Sequence, residues 1–423
     1  MNPRSLLVDS FHAAVAAADP LKIVAAHLPP PPSGRTLVIG AGKAAASMAR
    51  AVELAWPATA AIQGLVVTRY AHGMLTDHIQ VIEAGHPVPD GAGESAAAQI
   101  LERVQELTPD DLLIALVSGG GSSLLSLPVE TVSMADLKAV TNSLLRSGAP
   151  ITEMNIVRKH LSRIQGGRLA AACRAPILTL VISDVTGDDP SAIASGPTCA
   201  DPSTYRDALD VISHFKVEAP ASVIAHLEKG AAGLIPETPK PGDPDVAHSD
   251  IKVIATAHQC LQAAAEFFRS RQITPVVLGD TVTGEASEVA KVYAALVREI
   301  HVHHQPFRPP VALISGGECT VTVRGNGRGG RCAEFLTSLA VELDGMSEVY
   351  ALAADTDGID GTEDNAGALL LPDSPARAAA KGVSAKQLLG NNDGYSYFEA
   401  LDDLLVTGPT RTNVNDYRVI LIL

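Results

Sequence analysis

The residues most able to do chemistry in this chain occur in groups, and each group directly follows an apolar run. In VIGAGKAAASMA at 38–49, Gly40, Gly42 and Ala45 match a G-x-G-x-x-A strand-to-helix turn, whose backbone amides can hold an anion. Lys43 stands in the first turn of the following helix, where the dipole favours anions and gives a cation nothing. It is either a phosphate or substrate contact or an ordinary solvated lysine. In LVSGGGSSLL at 116–125, Gly119, Gly120, Gly121, Ser122 and Ser123 allow close backbone approach and supply several N–H and O–H donors. No Gly-Lys-Ser/Thr follows, so this is not a Walker A loop.

Three further groups carry charge. NIVRKHLSRIQGGRLA at 155–170 concentrates Arg158, Lys159, Arg163 and Arg168, which suits carboxylate or phosphate recognition or, more plainly, a solvated helix face. VISDVTGDDPSAIASGPT at 181–198 gathers Asp184, Asp188 and Asp189 at a strand end. Carboxylates placed there suit Mg²⁺ or a general base, with turn and cap roles as the alternative. GGECTVTVRGNGRGGRCAEF at 316–335 sets Glu318 beside Arg324, Arg328 and Arg331 in a loop rich in glycine, including Gly325 and Gly327 around Asn326. The Asp-rich run at 351–368 lacks the twelfth-position Glu of an EF-hand. His86 in GHPVPD at 85–90 is a substrate contact or a structural hydrogen bond.

These groups must be held by a scaffold, and the sequence describes one. Apolar runs such as TLVIG, GLVVT, DLLIALVS and ILTLVISD alternate with Ala-rich helical stretches, which predicts an α/β fold with mostly parallel, doubly wound sheets flanked by helices. Such sheets bind ligands beyond the carboxyl ends of their strands, where the charged and Gly-rich groups lie. The chain has 423 residues, too many for one ordinary core. The segment at 233–250 holds four prolines and little periodicity, so it reads as a linker or a long excursion between an N-terminal domain over 1–240 and a C-terminal domain over 241–423.

Composition narrows the function. A formal net charge of -15 disfavours nucleic acid and anionic membranes and demands a focused basic pocket for any small anionic substrate. The five cysteines are widely spaced with no CxxC pair, which fits a reducing cytoplasm better than a disulfide framework. No apolar stretch reaches the length of a membrane span, and a homodimer is common among enzymes of this size.

Eight blocks in order resemble the glycerate 2-kinase family, whose C-terminal part is the MOFRL domain: VIGAGKAA, GHPVPD, ALVSGGGSSLL, NIVRKHLSRIQGGRLA, SDVTGDDPSAIASGPT, SGGECTVTVRGNGRGGR, DTDGIDGTEDNAGA and TGPTRTNVND. They run from about residue 38 to residue 416. The chain departs from the family pattern at Cys332 and Ala333, where Asn-Gln is usual, at Arg411, often Gly, and at His258, commonly Asn. The resemblance implies two α/β domains with an active site in the cleft between them. It also implies ATP, a divalent metal, and conversion of D-glycerate to 2-phosphoglycerate. Some members are labelled hydroxypyruvate reductase. An NAD(P)H-dependent reductase would want an acid after the second strand, and Thr68, Arg69 and Tyr70 stand there. A non-catalytic sugar-acid binding protein would have little use for so many carboxylates.

On that reading, Gly119–Ser123 and the Gly325–Asn326–Gly327 loop cradle nucleotide phosphates. Mg²⁺ sits near Asp184 and Asp188. Lys43 and Arg328 neutralise charge on the transferred group, and Asp189 is a candidate base. Arg158 or Arg163 holds the substrate carboxylate, with His86 and Glu318 as further substrate contacts.

Overall fold

The apolar runs of the first half assemble into one sheet. Its strands are β1 (Thr36–Ala41), β2 (Ile62–Arg69), β3 (Ile79–Ala84), β4 (Leu112–Ser118), β5 (Ile177–Ile182) and β6 (Ser249–Ala255), in the order β3-β2-β1-β4-β5-β6. Strands β1 to β5 pair in parallel. Every residue of β1, β4 and β5 is buried, as expected when helices cover both faces of a parallel sheet. A helical layer over Met134–Ser147, Ile151–His160, Tyr205–His214 and Ala221–Ala231 packs on itself around Leu144, Met154, Val157, Val211 and Leu227.

The computed structural model describes residues 2–423, which divide into two compact units. One is Pro20–Ile254. The other joins the chain up to Asp19 with Ala255–Leu423. The division differs in two ways from the one expected at residue 240. The segment at 233–250 is no linker: Thr238 Oγ1 donates to Asp201 at 3.0 Å, Glu237 accepts from the Tyr205 amide at 3.0 Å, and Lys240 Nζ bonds the Ser203 carbonyl. The chain then continues into β6 at the edge of the first sheet. The opening helix, Pro3–Ala17, belongs with the C-terminal half. Its Phe11 ring lies 6.1 Å from that of Tyr417, Ser10 Oγ accepts from the Tyr417 hydroxyl at 2.9 Å, and Arg4 meets the fully buried Asp403 at 2.6 Å.

The second unit contains β7 (Thr274–Gly279), β8 (Gly284–Glu285), β9 (Val311–Gly317), β10 (Cys319–Thr320), β11 (Val349–Asp355), β12 (Gly367–Leu370), β13 (Leu404–Leu405) and β14 (Asp416–Ile422). Six of them form a sheet ordered β13-β12-β11-β14-β9-β7. Within that sheet, among the described residues, only β7 and β9 pair in parallel. The closing strand β14 inserts centrally, antiparallel to both β9 and β11. The parallel expectation therefore holds for the first sheet, while the second is mixed. Apolar runs report burial on both faces, and a central antiparallel strand satisfies that as well as a parallel one. Helices Ala286–His303 and Arg331–Leu343 pack together, with Tyr293 edge-on to Phe335 at 5.5 Å.

Candidate functional site

In the first sheet the strand order reverses at β1, which lies between β2 and β4. The crevice outside the carboxyl ends of β1 and β4 is where such sheets take ligands. The turn after β1 and the loop after β4 are stitched together there. The Lys43 amide donates to the Gly119 carbonyl at 2.9 Å, and the Ala44 amide donates to Ser118 Oγ at 3.0 Å. Gly42 has φ +137°, and a Cβ on it would stand 2.1 Å from Ser118 Oγ and 2.5 Å from its carbonyl oxygen. Gly42→Ala is therefore expected to cost about 1–3 kcal/mol, which thermal unfolding should register as a fall of several degrees.

Gly120 (φ +82°) faces the ring of His86. A Cβ there would lie 2.9 Å from His86 Nε2 and 3.6 Å from Lys43 Cγ, so Lys43, His86 and the Gly loop share one small space. Burial pushes the His86 imidazole down to about 3, and the Lys43 and Arg69 cations push the same way. His86 is consequently neutral at physiological pH. Among the described residues neither of its ring nitrogens has a hydrogen-bond partner, which weighs toward a ligand contact over a structural bond.

Next to this group is a narrow pocket lined by Pro87, Ser122, Ser123, Arg158 and Gln165. Arg158 comes from the last turn of helix Ile151–His160. Burial lowers its pKa, and among the described residues no carboxylate lies within ion-pair distance. Its neighbours are fixed elsewhere. Lys159 pairs with buried Asp201 at 3.4 Å, and His160 meets Glu237 at 3.3 Å. These contacts pin the helix end and leave Arg158 as the cation facing the cavity. Arg163 is exposed and lines a different cavity with Arg168 and Lys240, so the two arginines proposed for one carboxylate are not brought together.

The loop after β5 is strained. Asp188, Ala194 and Ser195 have φ of 54°, 50° and 56°, which non-glycine residues seldom adopt without a compensating role. Ser195 Oγ bonds Ser122 Oγ at 2.9 Å and Asn155 Oδ1 at 3.1 Å. A Cβ on Gly121 would approach the Ala194 methyl to 2.5 Å. The loop thus buttresses the Gly119–Ser123 segment. Asp189 is exposed and spends both carboxylate oxygens on Ser191, at 2.9 Å each. Asp184 and Asp188 are half-buried at the strand end. Among the described residues no group of three His, Cys, Asp or Glu side chains is arranged to hold a metal. Asn155 and Gln165 escaped sequence reasoning, since uncharged polar residues inside a motif carry no signal of their own.

The charged residues of the second unit are committed to one another. Arg331 reaches Asp416 at 2.7 Å, Asp355 at 2.9 Å and Glu318 at 2.7 Å. Burial opposes its charge, but the three carboxylates outweigh that and raise its pKa. Arg328 bonds Glu363 through Nε (2.9 Å) and Nη2 (2.6 Å) and lies 4.1 Å above the Tyr395 ring. The Gly-rich loop is equally occupied. The amides of Arg324 and Gly325 donate to Asn392 Oδ1, those of Asn326 and Gly327 to Asn391, and that of Arg328 to Asp393. The amides of Gly325, Asn326 and Gly327 expected to cradle phosphate are therefore already bonded within the unit.

Asp360 is fully buried and accepts from the amides of Cys332 (3.0 Å) and Ala333 (2.8 Å) at the start of helix Arg331–Leu343. Burial pushes its carboxyl up to about 7, with the amide bonds opposing. An unfolded Asp titrates near 3.9. The folded state therefore holds the proton more tightly, and the stability this group adds is complete below about pH 4 and lost as pH rises through 7. Asp360→Asn is expected to flatten that decline in the unfolding midpoint between pH 4 and 7.

Two family models match the chain: the domain of unknown function DUF4147 over residues 6–228 and the MOFRL family over 311–416. Glycerate 2-kinase of Pyrococcus horikoshii is 38% identical, covering 92% of this chain and 88% of its own length. The chain belongs to the glycerate 2-kinase family. D-Glycerate 2-kinase of Thermotoga maritima is 36% identical over 99% of this chain and 98% of its own. A crystal structure of glycerate kinase from that organism superposes with a TM-score of 0.88, covering 99% of each chain at 36% identity. A 48% identical relative from Agrobacterium vitis, spanning 100% of this chain and 95% of its own, is provisionally named a hydroxypyruvate reductase. The glycerate 2-kinase match extends across both units described above.

Proposed function

We propose that this protein transfers the terminal phosphoryl group of ATP to D-glycerate, giving 2-phosphoglycerate. Membership of the glycerate 2-kinase family supports the reaction. The single structural observation that best supports it is Arg158, a half-buried cation with no carboxylate at ion-pair distance among the described residues, in the pocket beside the Gly119–Ser123 loop. An uncompensated buried charge is costly unless a ligand completes it, and a hydroxy-acid carboxylate would. Phosphoryl transfer asks a protein mainly for positioning and charge neutralisation. Lys43, on the turn next to that loop, is suited to stabilising the group in flight. Neutral His86 can donate or accept a hydrogen bond without repelling a cationic neighbour.

The donor set at the end of β5 fits Mg²⁺. This ion usually takes one or two carboxylates and leaves its other positions to water and phosphate, which suits Asp184 and Asp188, since among the described residues no group of three such side chains is found. When bound, Mg²⁺ would supply charge neutralisation on the nucleotide phosphates. Asp189 could serve as a base only after releasing Ser191, and Arg328 could reach a phosphate only after releasing Glu363. A cytoplasmic location is part of the proposal, supported by five buried, unpaired cysteines. No helix among the described residues is long and apolar enough to cross a membrane.

The test is direct. The protein is mixed with D-glycerate, ATP and Mg²⁺ and followed by ³¹P NMR, with hydroxypyruvate and NAD(P)H in a parallel tube. ADP with a 2-phosphate ester resonance is expected. A 3-phosphate ester would overturn the position, and NAD(P)H oxidation without phosphoryl transfer would overturn the kinase.

A further inference from the structure

The narrow pocket beside Arg158 holds a second polar group that the reading above leaves unused. Gln165 lines it and is only 3% exposed. A side-chain amide has two N–H donors and one oxygen acceptor. Both donors are committed. Nε2 donates to the Ser122 carbonyl at 2.9 Å and to the Leu125 carbonyl at 3.2 Å. Backbone carbonyls only accept, so these two bonds fix which end of the amide is which. Oε1 is left over as an acceptor. Among the described residues it has no hydrogen-bond partner, and a side chain this deeply buried normally has its polar atoms paired.

The backbone on either side is held as firmly. The Gln165 amide donates to Ser162 Oγ at 3.1 Å, and the amides of Gly166 and Gly167 donate to the carbonyls of Ser195 (2.9 Å) and Gly196 (2.8 Å). A side chain locked at both ends makes its free atom a preorganised contact. All of these residues belong to the unit Pro20–Ile254.

The pocket thus presents a cation at Arg158, an acceptor at Gln165 and apolar walls from Pro87, Leu127 and Leu137. A carboxylate suits the first and a hydroxyl the second. A neutral amide oxygen takes up no proton near pH 7, so it cannot serve as a general base, and a hydroxyl bound to it keeps its hydrogen. The hydroxyl that attacks phosphorus must lose its hydrogen. Gln165 therefore suits a hydroxyl that does not react. Resting on the kinase reading, we propose that Gln165 determines specificity: its Oε1 accepts from the second, unphosphorylated hydroxyl of the substrate while Arg158 holds the carboxylate. The substrate class is a short acid with two hydroxyls, and in glycerate phosphorylated at C2 the hydroxyl in question is on C3. A monohydroxy acid of the same shape leaves Oε1 buried and unpaired in the complex, which a site built to bond a hydroxyl penalises.

Calorimetry on the full chain tests this with D-glycerate and D-lactate as probes, since lactate lacks only the C3 hydroxyl. D-Glycerate should bind more tightly by roughly 10-fold or more. Gln165→Met should weaken D-glycerate by a similar factor and D-lactate far less, so that the preference collapses. That variant also removes a donor from the Gly119–Ser123 segment, so Ser126→Ala serves as its counterpart. Ser126 Oγ donates to the Ser122 and Ser123 carbonyls, and its loss loosens the same segment without touching Oε1. The preference should survive there. A wild-type preference below about 3-fold, less than one hydrogen bond is worth, would overturn the assignment whether or not Gln165→Met folds. So would a preference retained in Gln165→Met, or one lost equally in Ser126→Ala. The two readings fail separately. A strong preference without phosphoryl transfer would sink the kinase and leave the acceptor standing, while transfer to glycerate and lactate alike would do the reverse.

Discussion

Arg158→Met is expected to raise the KM for glycerate by at least about 30-fold while making the ligand-free protein more stable. The two effects have one origin. Arg158 is desolvated, its pKa is lowered by burial, and no carboxylate within the described residues compensates it. Removing one partner of a buried, hydrogen-bonded charge pair typically costs about 2–5 kcal/mol of binding. In the absence of substrate the same charge is a liability, and a methionine of similar reach would fill the space without it. Steady-state kinetics and a thermal melt of the same preparation check both halves. A lower midpoint would mean that Arg158 holds the fold together instead of waiting for a ligand, a trade of stability for function in reverse.

The second large effect is expected at Lys43. Lys43→Ala should reduce kcat by roughly 10²–10³-fold, the usual loss when a single donor to developing negative charge is removed, with the fold intact. It carries a spectroscopic signature as well. The Lys43 cation helps hold the His86 imidazole near 3, so its removal should move the His86 titration upward, visible as a shift of the ring resonances in NMR. Near-normal turnover with an unmoved His86 would exclude Lys43 from the site.

The parts legible in the sequence were those whose partners are near in the chain or fixed by strand order. Gly42, Lys43 and Gly119–Ser123 each follow a fully buried strand, and the rule that ligands gather at carboxyl ends places them together without knowledge of any contact. The second unit defeated the same reasoning because its decisive contacts are distant. Gly325 and Gly327 look like a phosphate loop. Their lack of a side chain serves instead to let Asn391–Asp393 approach: a Cβ on Gly325 would lie 2.3 Å from the Asn391 carbonyl oxygen, and one on Gly327 2.4 Å from Asp393 Cβ. Arg328 and Arg331 count as positive charge in a sequence, yet Glu363, Asp355 and Asp416 cancel them in space. The prolines of 233–250 signalled irregular backbone correctly, but irregular backbone can line a unit as well as link two. Gln165 stands among arginines in its motif, and its spare acceptor appears only once the partners of its amide are known.

The opening helix has a consequence for how the chain is made. Its apolar face, with Leu7, Phe11 and Ala14 buried, packs on β11, β14 and helix Ala257–Arg269, and β14 lies far along the chain from it. At about 5–20 residues per second, roughly 400 residues of synthesis, or about 20–80 s, separate the helix from β14. Over that interval the apolar residues of this segment have no partner surface to cover them, while the intervening unit, contiguous from Pro20 to Ile254, can close around its own sheet. The C-terminal unit must then fold by a contact spanning almost the whole polypeptide, a slow step by its topology.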